Sequence, residues 1–432
     1  MRSIVAAALI VVITGMCSAA LSGPLTPPPG PVSETGKTLD NLLPSTPLSQ
    51  DTTPGNSGFS VFTISAPGRY HLTGDLVVPA GLQAILIGLP GDSRGRVEID
   101  LAGFEIDARS EPNRQIVGGN SAGSRVEIHH GTLRGGFAGI DVSSALYVHD
   151  VDFEGVGSPG RSAIAPNFPS IIERCRFTDL PGSGISQSGL AGDETIVRDC
   201  SFANIESFAI LLEESATIER VSVSRTNSTS GAAIFTRNSA IIRDVQIKTA
   251  FGRALVVGSE SIVSGLTVEG VSAPGVAEYG VTLGANSRMT DSVVDNYAGA
   301  LGAILARRNV TIDGVTVNNS NGFGIFASEA SITLVNSFID DTQGAAVSLA
   351  QYNTIVNNSI EARNSNAPAL VVGSHSRVDS NRFFGDLTIT GTENLVVRNF
   401  FDFGDIDLRP GASLNDVGPL NDLANPWANF DR

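Results

Sequence analysis

The chain has 432 residues, of which 28 are Lys or Arg and 44 are Asp or Glu, so its formal net charge is −16. This acidic balance argues against nucleic acids, which need a basic surface, and against anionic membranes, while divalent cations and basic partners stay open. Charged residues make up only 17% of the chain and hydrophobic residues 41%, with 47 glycines, a composition typical of a folded, turn-rich protein.

The first 20 residues are predicted to be a signal peptide. Arg2 gives a positive start, residues 4–14 form an uncharged apolar run, and small residues precede a cleavage position before Leu21. Lipidation of Cys17 is the alternative, disfavoured because Met16 stands where a small residue is needed. The apolar run is too short to span a membrane, and no later stretch reaches the roughly 18 apolar residues required. We expect a secreted, periplasmic or cell-surface protein with no transmembrane segment in the mature chain.

Residues 21–58 are rich in Pro, Thr and Ser. Such a segment is extended and cannot bury enough apolar surface to fold alone. We therefore predict a tether, or a strap along the folded domain. No similar break occurs from residue 59 onward, which indicates a single domain.

Residues 59–403 contain an internal repeat of about 23 residues. Short segments of similar pattern recur, and they align when their last residue, which is apolar, is superposed, as in TIERVSV at 217–223 and VTIDGVTV at 310–317. Each repeat carries a second short strand that opens with a small residue, as in GAILARRN at 302–309. The aligned apolar anchors are Ile106, Leu133, Phe153, Phe177, Phe202, Val223, Ile247, Val268, Val294, Val317, Ile339, Ile360 and Phe383. Strands this short cannot bury a face alone, so stacking into a parallel solenoid is predicted.

Two other architectures do not fit the repeat. A leucine-rich repeat needs a fixed Leu and Asn spacing, which is missing, and an up-and-down barrel needs antiparallel hairpin turns. Residues 404–432 are irregular, and their aromatic residues, with the only Trp at position 427, suit a cap that closes the open end. The predicted fold class is therefore all-β, a solenoid of about 13–15 coils with a C-terminal cap.

Five segments carry a resemblance to a known family: the Pro-rich opening at 23–40, APGRYHLTGDL at 66–76, VEIDLAGFEID at 97–107, HHGTLRG at 129–135 and NPWANF at 425–430. In these, the chain resembles the right-handed parallel β-helix proteins of the pectin-lyase-like superfamily, and more narrowly a group of secreted bacterial β-helix proteins. The resemblance implies a single-stranded right-handed β-helix. It implies no single activity, because the superfamily includes lyases, hydrolases, epimerases, adhesins and passive scaffolds.

An inward position lies two residues before each anchor. It holds Cys175 and Cys200 in adjacent coils, and Asn358 and Asn381 in later ones. Coils stack at the strand spacing of about 4.8 Å, so the two cysteines should lie one above the other, either as a disulfide or as free thiols. The two asparagines are predicted to form an internal amide ladder.

The alternate residues of the second strand should point outward. They are Leu211, Phe235, Val256, Thr282, Leu305, Phe326, Ser348 and Val371. Six of these eight are apolar where solvent would favour polar groups. Covering by another part of the chain, such as the Pro-rich strap, is the favoured explanation, with β propensity and a docking surface for a polymer or partner as alternatives.

Acidic residues recur just after the anchors, at Asp295, Asp340 and Asp341 among others. Asp and Asn form turns, so a coil corner explains them. Stacked carboxylates also repel, and a structural Ca²⁺ bound by these three residues would relieve the repulsion. Ca²⁺ is the only cofactor that the sequence suggests.

The candidate catalytic residues are Arg307, Arg308 and Tyr297, because a uronate lyase needs a base beside a cation that neutralises the substrate carboxylate. The active-site motifs of pectate lyases, polygalacturonases and mannuronan epimerases are not visible, which places an inherited activity in doubt. On the strand that holds His129 and His130, one side chain should face inward and one outward, so both are predicted to be structural.

Two functional hypotheses follow. The first is a secreted or envelope β-helix that binds polysaccharide or neighbouring proteins without catalysis, favoured because no complete catalytic set accompanies the apolar column. The second is a carbohydrate-active, lyase-like enzyme that acts on an acidic polysaccharide at the corner formed by Arg307, Arg308 and Tyr297.

Overall fold

The computed structural model describes residues 44–431 except 56–57, 91–94, 110–114, 121–123, 188–193, 228–230, 273–277, 365, 414 and 420–424. The predicted signal peptide and residues 21–43 of the Pro-rich segment lie outside the described residues. Within them, the regular elements are short β-strands in two parallel sheets, numbered in chain order. No helix in this part of the chain is long and apolar enough to cross a membrane.

Sheet B has 16 strands and takes one strand from each turn of the chain. They are β2 (Ser60–Ile64), β5 (Gln83–Gly88), β8 (Gln115–Asn120), β10 (Ala138–Val142), β12 (Ser162–Pro166), β15 (Ser183–Ser186), β18 (Ile210–Leu212), β21 (Ala232–Thr236), β24 (Arg253–Val257), β27 (Tyr279–Leu283), β30 (Gly302–Ala306), β33 (Phe323–Ala327), β36 (Val347–Leu349), β39 (Leu370–Val372), β42 (Leu387–Ile389) and β45 (Ile406–Leu408).

Sheet A has 31 strands and takes two from most turns. Its first fifteen strands are β1 (Thr46–Pro47), β3 (Gly68–His71), β4 (Leu76–Val77), β6 (Arg96–Asp100), β7 (Glu105–Ala108), β9 (Arg125–Gly135), β11 (Ala145–Glu154), β13 (Ser170–Glu173), β14 (Arg176–Leu180), β16 (Thr195–Arg198), β17 (Ser201–Ile205), β19 (Thr217–Glu219), β20 (Ser222–Thr226), β22 (Ile241–Arg243) and β23 (Gln246–Ala250). The others are β25 (Ile262–Ser264), β26 (Thr267–Val271), β28 (Arg288–Thr290), β29 (Val293–Tyr297), β31 (Val310–Asp313), β32 (Thr316–Ser320), β34 (Ile332–Val335), β35 (Phe338–Thr342), β37 (Thr354–Val356), β38 (Ser359–Ala362), β40 (Arg377–Asp379), β41 (Arg382–Phe384), β43 (Leu395–Val397), β44 (Phe400–Phe403), β46 (Asp416–Val417) and β47 (Phe430–Asp431).

These strands wind into a right-handed parallel β-helix of about 15 turns, as predicted. The thirteen apolar anchors pair with one another in a single register file on sheet A, which Leu76 and Phe401 extend at its two ends. All thirteen are buried. Within the file, the rings of Phe153, Phe177 and Phe202 stack with centroids 4.7 Å and 4.5 Å apart. The repeat therefore builds one continuous apolar interior.

A bend separates the two sheet A strands of most turns, and in β9 and β11 it lies within one continuous strand. The residue at the bend has a left-handed backbone, with φ of 57° at His130, 56° at Asp150 and 51° at Arg174. Asp, Asn and Gly tolerate this conformation best, and many later turns place them there. The bend interrupts the in-and-out alternation of side chains, so two consecutive residues reach the surface. Together they form a charged ridge along sheet A, with cross-turn ion pairs such as Arg174–Asp150 at 2.9 Å and Arg220–Asp199 at 2.7 Å.

The inward positions carry the predicted cysteines and asparagines. Cys175 and Cys200 are buried free thiols, and burial raises the pKa of Cys175. The amide ladder is confirmed, since the side-chain amide of Asn358 donates to that of Asn381 at 2.9 Å. It continues through Asn399 at 3.0 Å and Asn429 at 3.1 Å.

Strands of the β-helix also occur beyond residues 59 and 403. Within the Pro-rich segment, β1 pairs with β3, and within the C-terminal tail, β45 pairs with β42 and β47 pairs with β44. Trp427 is 53% exposed and lies under the guanidinium of Arg398, so it is not the buried plug that its place in the tail suggested. Phe401 fills the interior at this end instead.

A buried carboxylate on the charged ridge predicts a pH-dependent stability. Burial alone would raise the pKa of Asp379, but hydrogen bonds from Arg398, Arg377 and Ser380 outweigh it and lower the pKa to about 2. The pKa of Asp379 is lower in the folded state than in the unfolded state, where it is near 4, so ionised Asp379 stabilises the fold at any pH above about 4. This stabilisation is about 2 kcal/mol and is lost as the pH falls from about 4 to 2. The stability difference between wild type and Asp379→Asn, measured by chemical denaturation, should therefore shrink across that range. A difference that stays constant from pH 6 to pH 2 would contradict the ion-pair explanation.

Candidate functional site

The outer surface of sheet B carries the apolar column that the sequence predicts. Its eight residues, Leu211 to Val371, pair in one register from β18 to β39. Every one of them is half-buried. We call this surface the sheet B face. Covering of this face by another part of the chain, such as the Pro-rich strap, is the explanation that the sequence favours. Residues 21–43 of that strap lie outside the described residues.

Three aromatic rings cluster near the middle of the sheet B face. Tyr279 and Phe326 stack with centroids 5.8 Å apart, and Phe323 lies 5.0 Å from Phe326. Gly302 lies on the strand between them and pairs with Tyr279 on one side and with Phe323 on the other. Its φ is +154°. A Cβ at Gly302 would lie 2.5 Å from the carbonyl oxygen of Phe323, so only glycine fits between the two rings. We call Tyr279, Phe323 and Phe326 the aromatic cluster.

Towards β10, the sheet B face opens into a polar groove of about 280 Å³. Arg161, Asp141 and Ser186 contribute polar groups to its lining, and Phe208 and Leu211 contribute apolar ones. Apolar walls with a few polar groups are typical of sites that bind small molecules or sugar units. The groove and the aromatic cluster thus lie on one continuous surface.

A larger cavity of about 470 Å³ lies at the C-terminal ends of β17, β20 and β23 on sheet A. Its polar groups bond to one another. Asn227 donates to Glu206 at 2.9 Å, and Arg225 donates to Asn204 at 3.1 Å. Four of the polar side chains that line this cavity are thus already hydrogen-bonded to one another in pairs.

The predicted catalytic residues lie at opposite edges of sheet B. The hydroxyl of Tyr297 is buried and donates to the carbonyl oxygen of Glu278, the residue just before β27. Burial raises the pKa of Tyr297. Arg307 and Arg308 follow the end of β30, and Arg307 pairs with Glu329 at 3.1 Å. Five residues of strand, about 15 Å, separate these edges, so the phenol and the two guanidiniums do not meet. A catalytic role for the three residues stays a prediction.

The predicted calcium ligands stand on two turns, Asp295 on β29 and both Asp340 and Asp341 on β35. Asn318 pairs with Asp295 and lies between it and Asp340, which puts the two aspartates two rungs, about 9.5 Å, apart. Asp340 accepts the backbone N–H of Asp341 at 2.7 Å, and Arg363 binds Asp341 at 3.1 Å. The three carboxylates therefore do not surround one position. Ca²⁺ binding by any of them stays a prediction.

A histidine cluster on the charged ridge was not predicted. His129 and His130 do not point to opposite sides, because the left-handed backbone of His130 turns its ring back outward. Their Nδ1 atoms are 2.9 Å apart, and the ring of His149 stacks on His129 with centroids 4.9 Å apart. The signal in the sequence was His149, 20 residues after His129 and thus close to one repeat away.

Carboxylates surround these three rings. Asp100 pairs with His129 in the register, and Glu127 lies 3.4 Å from Nε2 of His149. Burial lowers the pKa of His129, and the charge of Asp100 partly offsets this effect. Neutral imidazoles beside carboxylates are the ligand types that divalent transition metals prefer.

The sequence of the chain matches the model of one known protein family. Residues 136–298 and 299–402 match the model of the right handed beta helix region, which together is more than half of the chain. The chain belongs to this β-helix family. No curated protein matches it.

Three solved structures align with most of this chain, at low sequence identity and low TM-score. The A-module of mannuronan C-5 epimerase AlgE6 from Azotobacter vinelandii is 13% identical, with 85% of this chain and 91% of that chain covered and a TM-score of 0.35. The AlgE4 A-module from the same organism is 13% identical, with coverage of 77% and 91% and a TM-score of 0.26. A DFA-IIIase from Arthrobacter chlorophenolicus A6 is 12% identical, with coverage of 85% and 79% and a TM-score of 0.26. At these values, none of the three assigns an activity to this β-helix protein.

Proposed function

We propose that this β-helix protein is secreted or held in the cell envelope, where its sheet B face binds a polysaccharide without converting it. The observation that carries the proposal is the continuous surface from the polar groove, with Arg161 and Asp141, to the aromatic cluster. Soluble proteins rarely expose an apolar stripe of this length unless it binds something.

The chemistry of the surface fits sugar rings. A pyranose ring presents C–H bonds on its faces, and these pack against the negative face of an aromatic ring. Tyr279 and Phe326 offer such faces, and the groove offers a guanidinium and hydroxyl groups for sugar hydroxyls. A long, open sheet suits an extended polymer better than a small ligand, which prefers an enclosed pocket.

Charge narrows the class of polymer. With a net charge of −16, the protein repels an anionic polysaccharide, most strongly at low ionic strength. A neutral polysaccharide, or one that carries amino groups, is therefore favoured. A lyase acting on an acidic polysaccharide has less support, because Tyr297 is buried away from Arg307 and Arg308.

Affinity electrophoresis in gels that contain single polysaccharides tests the proposal. A neutral polysaccharide should retard the wild-type protein, and Phe326→Ala should weaken binding about fivefold, because a stacked ring contributes on the order of 1 kcal/mol. The matched control is Phe338→Ala, which removes a 44% exposed phenylalanine from sheet A and should leave retardation unchanged.

Two results would contradict this function. One is equal retardation of wild type and Phe326→Ala. The other is the release of 4,5-unsaturated or other shortened product from a polysaccharide incubated with pure protein, with or without Ca²⁺, which would establish catalysis instead.

A further inference from the structure

Three potential ligand atoms converge on the charged ridge. The Nδ1 atoms of His129 and His130 are 2.9 Å apart, and Oδ1 of Asp100 lies 3.5 Å from the first and 3.6 Å from the second. Three ligands bound to one metal ion at about 2.0–2.2 Å lie about 3.0–3.6 Å from one another. The three atoms therefore already have the mutual spacing of one face of a coordination shell.

The fold produces this convergence from two separate features. Parallel pairing of β6 with β9 sets Asp100 directly beside His129. The left-handed bend at His130, with φ of 57°, then brings the next side chain around to the same side. Asp100 is held in place, since its Oδ1 also accepts the backbone N–H of Ala102 at 2.8 Å.

Carboxylates also stand behind each histidine. Nε2 of His129 lies 3.6 Å from Oε1 of Glu98, and Nε2 of His130 lies 3.9 Å from Oδ2 of Asp150. At these distances the carboxylates act through their charge, which favours the proton on Nε2 and leaves the lone pair of Nδ1 available to a metal. With both protons on Nε2, two lone pairs face each other at 2.9 Å, a repulsive contact that a cation between them would remove.

The exposure of the three residues indicates an open site. The side chain of His129 is 9% exposed, whereas those of Asp100 and His130 are 37% and 55% exposed. One side of the group thus rests on the sheet and the other faces solvent, which leaves room for water or a ligand. Two imidazoles and one carboxylate select a transition metal such as Zn²⁺ rather than Ca²⁺ or Mg²⁺, which prefer oxygen ligands.

We propose that Asp100, His129 and His130 bind one divalent transition-metal ion, with at least one coordination position open to solvent. This site lies on sheet A and is independent of polysaccharide binding on the sheet B face.

The test uses the full mature chain, expressed without a histidine tag and stripped with a chelator. Isothermal titration should show one Zn²⁺ per chain, and Co²⁺ should give the visible absorption of a site with nitrogen and oxygen ligands. An excess of Ca²⁺ or Mg²⁺ should not displace either metal.

Variants locate the ion. His130→Ala changes a mostly exposed side chain. This variant and Asp100→Asn, each made alone, should weaken Zn²⁺ binding at least about tenfold. His375→Ala, a surface histidine paired with Glu393 at 2.9 Å, is the matched control and should bind Zn²⁺ as wild type does.

Three outcomes would overturn the assignment. The first is no stoichiometric Zn²⁺ binding by the wild-type protein. The second is a His130→Ala variant, folded by circular dichroism, that binds Zn²⁺ as tightly as wild type. The third is loss of binding on His149→Ala with retention on His130→Ala, which would move the ion to the group formed by Glu127, His129 and His149.

Discussion

Replacing Phe177 by alanine is expected to destabilise the β-helix by about 3–5 kcal/mol, because a large cavity in a close-packed interior costs both transfer energy and packing. Phe177 is completely buried and stacks between two other rings, Phe153 at 4.7 Å and Phe202 at 4.5 Å. Neighbouring turns cannot collapse into the space, since hydrogen bonds between strands hold them at a fixed rung spacing.

Guanidinium-induced unfolding followed by circular dichroism measures this effect. Phe338→Ala is the control, because it makes the same change at an exposed position on the same sheet, and it should change stability by less than about 0.5 kcal/mol. Equal unfolding midpoints for the two variants would mean that Phe177 does not lie in the interior file.

The second large effect is expected for Asn381→Leu. The side chain of Asn381 donates to the carbonyl oxygen of Ile355 at 2.9 Å and to the amide of Asn399 at 3.0 Å, and it accepts from both the backbone and the side chain of Asn358 at 2.9 Å. Leucine has a similar volume but can make none of these four buried hydrogen bonds, so Ile355, Asn358 and Asn399 each lose a partner. Each unpaired group costs about 1–3 kcal/mol, so a loss of about 3–5 kcal/mol is expected.

The same substitution at Asn321 is the matched control. Asn321 is exposed, and its side chain accepts one hydrogen bond, from Gln343 at 3.3 Å. Thermal unfolding should separate the two variants by many degrees. If Asn381→Leu were as stable as Asn321→Leu, the amide ladder would contribute nothing to the stability of the C-terminal turns.

The interior of the helix could be predicted because it repeats. A side chain such as Val223 or Ile339 recurs in the same position of each turn, and the period of 2 within a strand decides whether it faces in or out. The amide ladder was predicted only as far as Asn381. Its next members, Asn399 and Asn429, follow after 18 and then 30 residues, spacings that depart from the mean repeat.

The surface could be predicted less well, because it depends on where the backbone departs from a straight strand. The alternation rule places one of His129 and His130 inside, but the left-handed backbone of His130 brings both rings to the same side. Likewise, Tyr297 and Arg307 are close in sequence, yet the full width of sheet B separates them. The outward column from Leu211 to Val371 lies on straight strands, and there the prediction of register is confirmed.

The most direct test of the proposed function is a crystal structure of the protein with an oligosaccharide from the polysaccharide that retards it. We expect sugar rings over Tyr279 and Phe326, with hydroxyl groups directed towards the groove at Arg161. Sugar bound instead on sheet A, or across the 470 Å³ cavity at Glu206 and Asn227, would contradict the assignment of the sheet B face as the binding surface.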